Sequence, residues 1–114
     1  MGGTPPFLKT LICRPTSEST MKLLMFLFKS GLSDEEALKV SEGRESQYRE
    51  VKGLIQKYYV QSKEMGRVGG VFVFDTAENL AAFRDSELAK STGEAYEFTE
   101  PPHTRVLDIV KTLR

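Results

Sequence analysis

From Met21 onward, apolar runs alternate with amphipathic stretches in an order that specifies four strands and two helices. Lys22–Lys29 holds six apolar residues in a row and stops at Ser30-Gly31, which marks a strand. Ser33 follows as an N-cap. Glu36, three residues on, completes a capping box, and Asp34 and Glu35 suit the positive end of the helix dipole. The inward stripe of this first helix is Ala37, Val40, Arg44, Tyr48 and Val51, at spacings of three and four. Gly43 costs the helix about 1 kcal/mol relative to Ala and allows a bend there.

Gly53 ends the helical region, and Leu54–Ser62, rich in Tyr and branched residues, reads as a second strand. Lys63–Gly66 is a polar turn, and Arg67–Phe74 is a third strand in hairpin with the second. Asp75 or Thr76 opens a second helix, with Glu78 at capping-box spacing from Asp75. Leu80, Phe83 and Leu88 supply its apolar side, and Thr92-Gly93 breaks it. A turn carrying Tyr96 and Phe98 leads past Pro101-Pro102 to a last strand over Arg105–Leu113. The order β-α-β-β-α-β is the ferredoxin-like pattern, an α+β domain with a four-stranded antiparallel sheet and both helices on one face. Residues 1–20, with Gly2, Gly3, Pro5 and Pro6 at the start and a Pro15–Thr20 polar stretch at the end, read as a loosely ordered arm with at most a short strand around Phe7–Cys13. The domain therefore spans residues 21–114.

Helices on one face leave the other face to water, and strands in such a sheet alternate apolar and polar. Leu23–Phe28, Val71–Phe74, Val106-Leu107 and Ile109-Val110 are instead apolar on both parities. Left bare, four such strands would expose roughly 300 Å² in plan, the size of patch that marks an interaction surface. A second copy packed sheet to sheet covers it, so the pattern predicts a homodimer.

Composition narrows the function. The 114 residues balance 16 basic against 16 acidic side chains, and the basic ones are scattered, so neither long-range field nor local patch points to nucleic acid. The longest apolar run, Leu23–Phe28, is far shorter than the roughly 20 residues a membrane helix needs. No signal-type segment opens the chain. One cysteine, Cys13, forms no internal disulfide, and a cytoplasmic location is the expectation.

The run Gly53-Leu54-Ile55-Gln56-Lys57-Tyr58-Tyr59, then Gly69-Gly70-Val71-Phe72, Ser86-Glu87-Leu88-Ala89 and Glu94-Ala95-Tyr96 before Pro101-Pro102, resembles the YdhR-like family. Arg44 and Tyr48 also sit where similar proteins carry Arg and an aromatic residue, whereas Lys52 stands where they usually have Pro. That family is related to the antibiotic-biosynthesis monooxygenases and has the dimeric α/β-barrel fold. The resemblance, over residues 21–114, implies a monooxygenase needing no flavin, haem or metal and acting on a small aromatic, quinol-like molecule. The deprotonated substrate would itself reduce oxygen. Fold likeness alone does not fix function.

Residue by residue, the chemistry is sparse. His103 is the only histidine and Cys13 lies in the arm, so no cluster of metal ligands forms. The haem-degrading relatives of the fold use a Trp, and this chain has none. Gly69-Gly70, inside a strand, reads as a bulge or a close backbone approach. A Ser-His-Asp or Cys-His spacing is missing. What remains is a pocket of aromatic and polar side chains. Arg44, on the inward stripe, is either a snorkelling or Glu87-paired arginine or a clamp for an anion or phenolate. Lys57 either pairs across the sheet or stabilises an enolate by charge. Tyr48, Tyr59 and Tyr96 are core or interface aromatics, or orient a phenol-like substrate. Phe72 and Phe83 wall the cavity or simply pack. Glu87 and His103 are the candidate proton acceptors, and neither is assigned as the base. Two other activities suit the same pocket: a non-catalytic binding or stress-response module, and an isomerase or lyase that needs no oxygen.

Overall fold

A computed structural model describes residues 20–113. The arm, including the strand expected around Phe7–Cys13, lies outside the described residues. The elements are β1 (Lys22–Phe28), α1 (Asp34–Arg49), β2 (Leu54–Ser62), β3 (Arg67–Phe74), α2 (Ala77–Arg84), α3 (Glu87–Lys90), α4 (Thr92–Ala95) and β4 (His103–Asp108). The strands form one antiparallel sheet in the order β2-β3-β1-β4. This is the ferredoxin-like α+β fold expected from the pattern.

Local chemistry sets the boundaries. The Ser33 hydroxyl accepts from the Glu36 amide, and the Glu36 carboxylate accepts from the Ser33 amide, so the capping box forms at the start of α1. The second helix starts on Thr76, whose hydroxyl accepts from the Asn79 amide; Asp75 instead accepts from the Asn79 side chain. The long second helix expected up to Thr92 is divided. Ser86 stops it, accepting from the Ala89 amide to cap α3 while its hydroxyl bonds the Phe83 carbonyl. A serine in extended conformation offers the backbone a local partner that a helix interior would deny it. The last strand is also shifted: it runs His103–Asp108, two residues earlier than expected, and stops before Ile109. Its partner β1 begins at Lys22, and the Ile109 amide donates to the Met21 carbonyl as the final rung.

The core lies between the sheet and the helices in two clusters. Leu24, Tyr48, Phe72, Phe74, Leu80 and Phe83 form one. Phe28, Ala37, Val68 and Tyr96 form the other, with Phe98 stacked 4.4 Å from Phe28. Phe26 packs against both. On the opposite sheet face, Tyr58 and Leu107 are 55% and 53% exposed, with Leu23, Met25, Leu27, Val71 and Val73 half-buried around them. No helix among the described residues is long and apolar enough to cross a membrane.

Candidate functional site

A cavity of about 280 Å³ opens where the two core clusters meet. Register explains which residues reach it. In β1 and β3, Leu24 pairs with Phe72 and Phe26 with Gly70, so these side chains share the helix-covered face. Gly70 is needed there because a Cβ would lie 2.8 Å from the Phe72 ring. At Gly69 a Cβ would lie 1.9 Å from the Phe26 carbonyl oxygen. The Gly-Gly pair is thus a close backbone approach, and the sheet's irregularity sits elsewhere.

That irregularity is in β2. Leu54 pairs with Phe74 and Gln56 with Val73, so one extra residue, Ile55, enters between them. A bulge of one residue reverses side-chain parity downstream. Lys57 and Tyr59 therefore point to the cavity opposite Phe72 and Gly70, and Tyr58 points outward opposite Val71.

Of the residues singled out from the sequence, Tyr48, Lys57, Tyr59, Phe72, Phe83 and Tyr96 come together around this cavity. Arg44 lies behind the wall. Its guanidinium donates to the Leu88 carbonyl at 2.8 Å and to the Ser91 and Thr92 hydroxyls at 3.3 Å, and stands 5.8 Å and 6.0 Å from the centres of the Tyr48 and Tyr96 rings. The charge on the inward stripe thus ties α1 to α3 and α4, with the Leu88 carbonyl as its partner in place of the Glu87 carboxylate. Glu87 and His103 are exposed and outside the cavity lining. In β4 His103 pairs with Leu27, which puts it on the outer face, while Thr104 reaches the cavity opposite Phe26.

Three lining groups were not named from the sequence and matter chemically. Arg84 and Lys90, from the second helical region, and the buried Thr92 border the cavity. Their signal was hidden because the division of that region at Ser86 decides which side chains turn inward. Phe26 was also legible only through the parity it shares with Leu24 and Phe28.

Lys57 is the centre of the site. Its ammonium lies 4.8 Å from the centre of the Tyr48 ring, 5.4 Å from that of Phe72 and 5.9 Å from that of Tyr59. No carboxylate lines the cavity, and Lys57 makes no ion pair among the described residues. Burial pushes its pKa below the usual lysine value; Glu45 opposes the shift and Arg44 adds to it. Ring faces supply cation–π attraction but not the full solvation that water gives an ammonium. The Tyr59 hydroxyl is buried and has no hydrogen-bond partner among the described residues. Burial raises its pKa, and the nearby Gln61 side chain offsets this only in part. Burial likewise pushes the Tyr96 hydroxyl up to about 12. The site is thus an aromatic slot with one lysine, protonated tyrosines, and two further cations at its border. Among the described residues no group of three or more His, Cys, Asp or Glu side chains is placed to hold a metal ion.

The geometry has parallels among solved structures. No family model matches the chain, and no curated protein does. SnoaB, a cofactor-independent oxygenase from Streptomyces nogalater, superposes with a TM-score of 0.64 at 9% identity, over 83% of this chain and 97% of its own. A dimeric ferredoxin-like protein of unknown function from Thermobifida fusca matches with a TM-score of 0.64 at 8% identity, over 84% and 97%. A candidate antibiotic biosynthesis monooxygenase from Caulobacter crescentus gives a TM-score of 0.59 at 14% identity, over 83% and 93%. At these identities the likeness establishes a shared fold: the chain has the ferredoxin-like architecture found in antibiotic biosynthesis monooxygenases.

Proposed function

We propose that the protein is a cytoplasmic, homodimeric, cofactor-independent monooxygenase of YdhR-like kind, acting on a small aromatic, quinol-like molecule. The observation that carries this reading is Lys57: a cation held against three aromatic rings in a cavity that no carboxylate among the described residues lines. Such a cavity receives a flat ring against the wall that the packed rings of Tyr48, Phe72 and Phe83 make and offers positive charge to the oxygen of its ionised form. A deprotonated anthrone then reacts with oxygen at its ring carbon. The net change converts a CH2 group and O2 into a carbonyl and water, so the substrate supplies the electrons. Excluding bulk water protects the carbanion from reprotonation.

The apolar outer face of the sheet supports pairing of two copies, as does the dimeric Thermobifida fusca neighbour of the same fold. The test is oxygen uptake with a panel of hydroxylated naphthalenes and anthrones and no added cofactor. Turnover above the uncatalysed rate, lost in Lys57→Met, supports the reading. Saturable binding without uptake would make the protein a binding module. Product formation without oxygen consumption would make it an isomerase or lyase.

A further inference from the structure

An oxygenase of this kind needs a base to ionise its substrate, and the two acceptors suggested by the sequence are outside the cavity. Glu87 and His103 are exposed and do not line it. The groups that do line it exclude one another. Tyr59 and Tyr96 hold their protons more tightly than ordinary tyrosines, because burial disfavours their phenolates. Arg84 cannot give up its proton. Lys90 is at an exposed helix end. One nitrogen remains in the slot itself.

We propose that the Lys57 amine is the general base of the site: it takes the proton from the substrate hydroxyl (for an anthrone, that of its enol) and, as an ammonium, stays as the counter-ion of the phenolate it has made. The substrate O–H bond breaks, its electron pair remains on oxygen and spreads into the ring, and the proton forms a new N–H bond on Nζ. The buried Tyr59 hydroxyl, unpartnered on the same side of β2, donates a hydrogen bond to the new oxyanion. This inference rests on the proposed function and adds to it the identity of the base.

Three observations converge on Lys57. The Ile55 bulge exists only in β2 and turns this side chain inward. The Nζ faces rings on α1, β2 and β3 and lines the cavity, so a hydroxyl entering the cavity meets it directly. The charged groups around it do not lock it as a cation: α1 brings Arg44 and Glu45 with opposing effects, α2 brings Arg84, α3 brings Lys90, and β3 brings none. Desolvation shifts it toward the neutral amine, the direction a base requires.

The discriminating variant is Lys57→Arg, which keeps the positive charge and cannot accept a proton. Binding of 2-naphthol under anaerobic conditions is followed by absorption, since naphthol and naphtholate have separate bands. The wild-type protein is expected to hold naphtholate at neutral pH, and Lys57→Arg and Lys57→Met to hold neutral naphthol. Lys57→Ala is expected to regain ionisation when ethylamine is supplied, more so with more basic amines, a response no structural role would give. In oxygen uptake, Lys57→Arg should lose about 10²–10⁴-fold in kcat, the usual range for a removed general base. Naphtholate bound equally well by Lys57→Arg would overturn the proposal, leaving charge alone as the role of the residue. Neutral naphthol in the wild-type protein, or no binding, would overturn it as well. If the wild type ionises naphthol yet consumes no oxygen with any member of the panel, the base assignment stands and the oxygenase reading fails.

Discussion

On the helix-covered side of the sheet, Leu24, Phe28, Phe72 and Phe74 are at most 5% exposed. On the other side the neighbours of these residues in the same strands, Leu23, Met25, Leu27, Val71 and Val73, are only half-buried, and Tyr58 and Leu107 are more open still. The amino-acid types are nearly the same on both sides, so hydrophobicity does not distinguish them. What differs is what covers them. The chain's own helices close one face around a cavity, and nothing among the described residues closes the other. The first face therefore carries the fold's core and the cavity, and the second is the face proposed for association.

Truncation should separate the two faces most sharply in the buried core. Phe74→Ala removes a fully buried ring from the larger core cluster. It is expected to cost about 3–5 kcal/mol in chemical denaturation, independently of protein concentration. Leu107→Ala on the outer face should leave the unfolding of a dilute, dissociated chain nearly unchanged. Equal losses at both positions would show that the outer face is part of the monomer's core.

A charge at the middle of the outer face is the next largest effect. Val71 lies between Met25 and Tyr58 on adjacent strands. In Val71→Lys an ammonium would have to be desolvated between two sheets, which weakens pairing at least tenfold by about 2 kcal/mol or more. Sedimentation should report single copies with unchanged far-ultraviolet circular dichroism. A variant that remains paired would place the contact elsewhere.

Both faces are legible as apolar in the sequence, because Leu23–Phe28 and Val71–Phe74 have no polar parity. The limits of β2 and β3 and the Ser33 capping box were legible too, since Gly, polar-turn and capping signals act over three or four residues. Where one local signal permits two outcomes, the sequence is silent: Ser86 suits a helix interior or a cap, and it caps, donating to the Phe83 carbonyl and accepting from the Ala89 amide. Long-range effects were not legible either. The end of β4 is set by where β1 begins, 80-odd residues away in sequence. The inward turn of Lys57 depends on a single extra residue at Ile55 that no periodicity marks. The stripe alone left Arg44 as either a snorkelling or Glu87-paired arginine or a ligand clamp, because its partners, a carbonyl and two hydroxyls, come from helices whose placement the stripe does not encode.

The closed face also has a pH signature. Tyr96 has its pKa raised from 10.0 to about 12, mainly by burial. In the unfolded chain its proton leaves first, so the folded state binds more protons between these values and stability falls as pH rises. The contribution is fully present below pH 10 and is lost through about pH 12. The urea midpoint should therefore drop across this window more steeply in the wild type than in Tyr96→Phe. Matching slopes would mean that the hydroxyl is hydrated in the folded state.

The smallest effect tests whether the outward side of the helices belongs to either face. Gly43 is exposed in the middle of α1, and a Cβ built on it meets nothing within 4 Å. Gly43→Ala should raise stability by about 0.5–1 kcal/mol, because alanine gives up less backbone freedom on folding and fits helical dihedrals without strain. Oxygen uptake and the sedimentation of the protein should be unchanged, since the residue points away from both the cavity and the bare sheet face. A methyl group that altered association would show that copies meet through their helices. The apolar outer sheet would then need another occupant. A gain in stability alone leaves the division between a chemical face, a pairing face and a solvated helix surface intact.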